Sequence, residues 1–105
     1  MPGAGAKPPR REDRAPPPSR REVYWTSQAE RDRGYWRQND RRVLAKIDRL
    51  VEDILEHPFA GIGKPEPLRY EWSGYWSRRI TGEHRLVYRV EGNTIFIAQC
   101  RFHYD

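Results

Sequence analysis

Glu66 stands between Pro65 and Pro67, Arg85 follows His84 in a run of alternating residues, and His103 sits beside Tyr104 near the end of the chain. A carboxylate, a guanidinium and an imidazole on one surface can break an RNA phosphodiester. RNA carries its own nucleophile, the 2′-hydroxyl. A base must take that proton, a cationic donor must hold charge on the phosphoryl oxygens, and an acid must protonate the departing 5′-oxygen. Glu66 suits the first role, Arg85 the second and His103 the third. The products would be a 2′,3′-cyclic phosphate and a 5′-hydroxyl end, and the scheme calls for no metal or cofactor. An ordinary Glu, near ~4.3, must be raised by its surroundings to work as a base, whereas His near ~6.5 is already close. The prolines flanking Glu66 fix the backbone around it and restrict where its side chain can point.

These residues need elements to position them. Val23 to Thr26 is short, β-branched and aromatic, and reads as a first strand. Ser27-x-x-Glu30 has the form of a capping box, and a first helix follows from about 28 to 38 with Ala29, Tyr35 and Trp36 on its buried side. Asn39-Asp40 breaks that helix and can cap the next. Val43, Leu44, Ile47, Leu50, Val51, Ile54 and Leu55 then recur at three- and four-residue steps, one apolar stripe of a second helix that Pro58 ends. His57 reads as a cationic residue at that helix end. Residues 59 to 67 form a loop. Strands fit 67 to 71, 75 to 81, 84 to 91 and 94 to 103, parted by Ser73-Gly74, Gly82 and Gly92-Asn93. The expected fold is α+β: two helices on one face of a twisted antiparallel sheet, in the order β-α-α-β-β-β with an extra short strand allowed, and the other face open.

Register decides which side chains share that open face. A two-residue turn at Gly92-Asn93 puts Arg85 opposite Cys100 and on the face of Tyr104. An odd-length loop puts it opposite Arg101 and on the face of His103, and a bulge could reconcile the two. The sequence leaves this open. Arg78 and Arg79 alternate faces, so at most one of them points at a substrate. Trp72, Tyr75 and Trp76 could stack bases, but aromatics at strand spacing are more often core. Trp25 and Trp36 are candidates for core or dimer contacts, and His84 reads as a turn or structural residue rather than a second catalytic imidazole.

At 105 residues the chain is one small domain. Residues 1 to 22 hold six of the nine prolines and little that is apolar, so they are expected to be a disordered extension ahead of a domain spanning 23 to 105. The net charge of +5 divides as +3 in that extension, zero over 23 to 57, and +2 over 58 to 105. The helical half is neutral and the sheet half basic, which favours a polyanionic partner. The single Cys100 excludes an internal disulfide, offers no metal-site spacing, and reads as a buried inert thiol. With no membrane-length apolar run and no signal-peptide core, a soluble cytoplasmic protein is expected.

Four words in fixed order carry a resemblance. They are Pro58-Phe59-x-Gly61-x-Gly63-Lys64-Pro65-Glu66-Pro67-Leu68, then Ser73-Gly74-Tyr75-Trp76-Ser77-Arg78-Arg79-Ile80, then Glu83-His84-Arg85-Leu86-Val87-Tyr88, and the ending Cys100-Arg101-Phe102-His103-Tyr104. From Val23 to Tyr104 the chain resembles the YoeB toxins of bacterial YoeB–YefM toxin–antitoxin pairs, within the RelE-like superfamily. That resemblance implies a RelE-like, microbial-ribonuclease-like fold and a ribosome-dependent endoribonuclease (mRNA interferase) that cuts mRNA in the ribosomal A site. It places the base, phosphate binder and acid on Glu66, Arg85 and His103. It further implies substrate-binding roles for Tyr104 and Arg79, and marks Lys64, in the Pro-Glu-Pro word, as another substrate-side cation. A family lysine is here Arg69, which keeps the charge but replaces a point donor with a planar fork. Asp105 is a second departure and adds a carboxylate beyond the tyrosine. Resemblance also implies a YefM-like antitoxin, a 70S ribosome with A-site mRNA, and a homodimer as partners. The rival class is a non-nucleolytic relative on the same fold, a ParE-like binder of DNA gyrase or an inert interaction protein.

Overall fold

The computed structural model describes residues 21 to 102; the expected disordered stretch lies, apart from Arg21 and Glu22, outside the described residues, as do His103, Tyr104 and Asp105. Strand β1 (Glu22–Trp25) leads into α1 (Ser27–Asn39) and α2 (Arg41–Glu56). Four strands follow: β2 (Glu66–Pro67), β3 (Trp76–Arg79), β4 (Arg85–Glu91) and β5 (Thr94–Gln99). They form one five-stranded sheet in the order β1-β5-β4-β3-β2. The α+β architecture matches the expectation, with one refinement: β1 lies parallel to β5, so the sheet is mixed rather than wholly antiparallel.

The cap of α1 falls one residue earlier than the Ser27 box. Thr26 Oγ1 accepts from the Ala29 amide at 3.1 Å and donates to the Ala98 carbonyl at 2.9 Å, so one hydroxyl caps the helix and ties it to β5. Asp40 caps α2 as expected, accepting from the Arg42 and Val43 amides. On α2, Ile47, Leu50, Val51, Ile54 and Leu55 are buried, and Val43 and Leu44 pack partly against the same core. Each fully buried aliphatic of this kind contributes roughly 1.5–3 kcal/mol, which makes this stripe the main attachment of helix to sheet. On α1 the buried side is Ala29, Asp32 and Trp36; Tyr35, expected there, is exposed.

The sheet contributes Ile80, Leu86, Tyr88, Ile95 and Ile97 to the core from the face under the helices. Because side chains alternate, Ser77, Arg79, Arg85 and Val87 occupy the opposite face, away from the helices, where Arg79 is exposed and Ser77 and Val87 are buried. The strand expected over 67 to 71 shrinks to Glu66–Pro67, since Tyr70 turns left-handed at φ 58° and opens a short 3₁₀ turn at Tyr70–Trp72. The last strand stops at Gln99 instead of running to 103.

Candidate active site

Register places the open-face residues in two rows. Glu66 pairs with Ser77 and Ser77 with Val87; one step along, Arg79 pairs with Arg85. Directly paired residues of antiparallel strands bring their Cβ atoms within about 5 Å. Glu66, Arg79 and Arg85 therefore converge from three strands. Lys64, Glu66, Ser77, Arg79 and Arg85 line one cavity of about 70 Å³. Ser77 is buried in it, while Lys64, Glu66 and Arg79 are exposed and Arg85 half-buried.

Two local devices build this surface. The first is the loop after α2, wrapped around Arg78. That side chain is fully buried on the helix side. Its Nη1 donates to Asp53 Oδ2 at 2.5 Å and to the Ile62 carbonyl at 3.0 Å. Its Nη2 donates to the carbonyls of His57 at 2.5 Å and Ala60 at 2.8 Å, and its Nε to the Tyr88 hydroxyl at 3.2 Å. A guanidinium thus donates to three loop carbonyls, those of Ile62, His57 and Ala60, and that of His57 also accepts from the Ala60 amide at 3.4 Å. Burial alone would raise Asp53, but the Arg78 hydrogen bond, the Ile62 amide and the Arg78 charge outweigh it and hold that carboxyl below its usual range. Gly61 and Gly63 let the loop approach: a Cβ at Gly61 would lie 2.0 Å from Asp53 Oδ2, and one at Gly63 2.8 Å from Leu50 Cδ2. The Gly63 carbonyl then accepts from the Arg79 amide at 2.6 Å, which brings Lys64 and Glu66 alongside β3. Of the adjacent arginines, Arg78 builds the loop and Arg79 faces outward.

The second device is a bulge. The hairpin turns on two residues, Gly92-Asn93, between the pair Glu91 and Thr94. Tyr88 faces Ile97 but Val87 faces Gln99, so one extra residue, Ala98, is inserted in β5. Both halves of the open register question hold: the turn is tight, and the bulge shifts the pairing by one. The Arg85 amide donates to the Phe102 carbonyl at 2.8 Å, one residue further along than the Val87–Gln99 register alone would reach. The guanidinium of Arg85 is held at the rim by donation from Nη1 to the carbonyls of Thr81 at 2.8 Å, His84 at 3.1 Å and Gly82 at 3.4 Å.

The strand end beside Arg85 is gripped by α1. Asp32 Oδ2 accepts from the Cys100 amide at 2.9 Å, and Trp36 Nε1 donates to the Cys100 carbonyl at 2.9 Å. The Arg101 guanidinium lies 3.4 Å above the Tyr35 ring. Cys100 itself is buried, and burial pushes its thiol up to about 12. Phe102 adopts a left-handed backbone at φ 62°.

Four of the sequence-derived site residues, Lys64, Glu66, Arg79 and Arg85, therefore share one cavity. Arg69 does not line it; it lies in a larger recess of about 580 Å³ that Glu66 also lines, with Leu68, Tyr70 and Trp72. His103 and Tyr104 follow Phe102 in the chain and lie outside the described residues. Sequence reasoning missed Ser77 and Asp32, and the exposed Tyr70 at the recess rim. Ser77 could have been found from the register with Glu66, but Asp32 in a charged helix gives no signal of its grip on β5. Among the described residues no group of three or more His, Cys, Asp or Glu side chains is placed to hold a metal ion. No described helix is long and apolar enough to cross a membrane.

Comparison with known proteins bears on the family and the fold. A family model described as the YoeB-like toxin of bacterial type II toxin–antitoxin systems matches residues 25–104. The Escherichia coli K12 toxin YoeB is 49% identical over 82 residues, which cover 78% of this chain and 98% of that one. A solved YoeB dimer from Staphylococcus aureus superposes with a TM-score of 0.76 at 45% identity, covering 81% of this chain and 99% of that one. A heterotetrameric YoeB–YefM toxin–antitoxin complex from the same organism gives 0.74 at 45% identity with the same coverage.

Proposed function

The chain belongs to the YoeB-like toxins of bacterial type II toxin–antitoxin systems, and we propose that it acts there as an endoribonuclease that cuts mRNA on the ribosome and so arrests translation. The observation that carries the reading is the shared cavity of Lys64, Glu66, Ser77, Arg79 and Arg85. It supplies a carboxylate and three cations at the edge of one sheet face, beside the strand end that leads to His103 and Tyr104.

In this mechanism Glu66 takes the proton of the substrate 2′-hydroxyl as the 2′-oxygen attacks phosphorus. Arg85 and Arg79 hold the non-bridging oxygens, where negative charge grows in the transition state. The bond from phosphorus to the 5′-oxygen breaks, and His103 gives that oxygen its proton, leaving a 2′,3′-cyclic phosphate and a 5′-hydroxyl end. RNA lying over the exposed Glu66 would strip it of water, which strengthens a carboxylate as a base. Tyr104, Lys64 and Arg69 bind the flanking chain. A small basic face with few base-reading groups suits a message already oriented by the ribosomal A site.

The remaining parts of the reading concern assembly. The Staphylococcus aureus relatives form a dimer and a complex with YefM, which supports a homodimer and a YefM-like antitoxin here. Residues 23 to 105 would be the toxin domain, which Glu22 joins as the first residue of β1, and the residues before it a basic extension, in a cytoplasmic protein. Expression in bacteria with and without Glu66→Ala or His103→Ala tests the reading. Growth arrest lost in both variants supports it, and arrest unchanged by either favours the gyrase-type binder.

A further inference from the structure

We propose that His84 is a positioning residue of the nuclease: its Nδ1 holds the amide of Phe102, and so fixes the backbone from which His103 and Tyr104 continue. The inference rests on the ribonuclease reading for its consequence, though not for its geometry. The Phe102 amide donates to His84 Nδ1 at 2.7 Å. Nδ1 accepts only when it bears no proton, so this bond uses the tautomer that carries its hydrogen on Nε2.

The histidine is itself held on every side. Its amide donates to Thr81 Oγ1 at 3.0 Å, and its carbonyl accepts from the Ile80 amide at 2.9 Å and from Arg85 Nη1 at 3.1 Å. Its ring stands edge-on to Trp36, centroids 4.8 Å apart, and tilts against Phe102 at 5.5 Å. Phe102 in turn has both backbone groups occupied, since its carbonyl accepts from the Arg85 amide at 2.8 Å. That matters because Phe102 sits at φ 62°, a left-handed conformation that non-glycine residues keep only when their surroundings impose it. One side chain and one backbone amide, from successive residues 84 and 85, impose it. The phosphate-binding Arg85 and the root of the His103-Tyr104 pair are thereby locked to a common piece of backbone.

A merely structural histidine and a positioning one predict opposite rankings of two variants. His84→Phe keeps a ring against Trp36 and removes the acceptor. His84→Asn removes the ring and keeps an acceptor near the position of Nδ1. The proposal predicts that His84→Asn cleaves mRNA close to the parent rate, while His84→Phe loses roughly 10–10²-fold in kcat with KM little changed, as expected for misplacement of a catalytic group. Amide exchange at Phe102 should quicken about tenfold in His84→Phe and stay near the parent in His84→Asn. In the unsubstituted protein, nitrogen spectra should show an unprotonated Nδ1 coupled through its hydrogen bond to the Phe102 amide. Protonated Nδ1, unchanged exchange in His84→Phe, or a more active His84→Phe than His84→Asn would each overturn the proposal. If the spectra and exchange agree but the parent cuts no RNA, the nuclease reading fails and the clamp survives.

Discussion

At the scale of single residues, the site is a set of exposed or half-exposed charges on a buried floor, so chemistry and stability should separate. Glu66→Gln should lower mRNA cleavage by about 10²–10⁴-fold, the usual contribution of a well-placed base, without moving the thermal midpoint. Arg85→Lys keeps the charge but has one nitrogen in place of a fork, so it cannot hold the rim carbonyls as Nη1 does and also turn a second nitrogen to a phosphate; single-turnover cleavage should fall roughly 10²-fold. Cys100, with its thiol raised to about 12, should resist iodoacetamide at pH 8 until the protein unfolds. A fast reaction in the native state would contradict its buried setting. The residue types were legible in the sequence: an isolated carboxylate between prolines, an arginine in an alternating run, a terminal histidine and tyrosine. What those residues touch was not. Arg78 and Arg79 look equivalent as letters, and only the pleat decides that one is buried under α2 and the other faces the cavity.

At the scale of elements, the loop after α2 and the bulge in β5 place the site. The Arg78–Asp53 pair organises the loop, and its pH dependence has a definite sign. Asp53 is held below its ordinary value of 3.8, so the stability it contributes is complete above that value and is lost as pH falls through the lowered one. Urea unfolding of the parent and of Asp53→Asn should therefore differ by about 3 kcal/mol near neutral pH, because Arg78 is left buried without its counter-charge. The difference should shrink below about pH 4 as the parent carboxyl protonates. A gap that is constant from pH 7 to pH 3 would mean the charge is irrelevant. Gly61→Ala should damage the same loop, since its φ of 120° and the 2.0 Å approach to Asp53 Oδ2 leave no room for a methyl. The helix stripe and strand alternation made these elements visible in sequence, with boundaries shifted where a side chain elsewhere captures the backbone. Thr26 takes the cap because its hydroxyl also reaches Ala98, and β5 ends early because Asp32 and Trp36 seize Cys100. Such captures connect residues more than 60 apart, and periodicity within one segment cannot report them. The Ala98 bulge is invisible for the same reason.

At the scale of the whole molecule, helices cover one sheet face and leave the other without a helix, and this division was readable from element order alone. So was the family, because four words recur in order over the part of the chain that forms the loop and sheet. A chain with this small a core gains from a partner that binds only the folded state. At a free antitoxin concentration of 100 Kd that gain is about 2.7 kcal/mol, so the thermal midpoint should rise by roughly ten degrees or more on complex formation. The most direct test of the account is the chemistry of the cut ends. Message bound to translating ribosomes and naked message should each be exposed to the purified chain and to its Glu66→Gln form, and the new ends identified. The account predicts 5′-hydroxyl and 2′,3′-cyclic phosphate ends on the ribosome-bound message alone, absent with Glu66→Gln. Ends bearing 5′-phosphate, or cutting undiminished in Glu66→Gln, would contradict it.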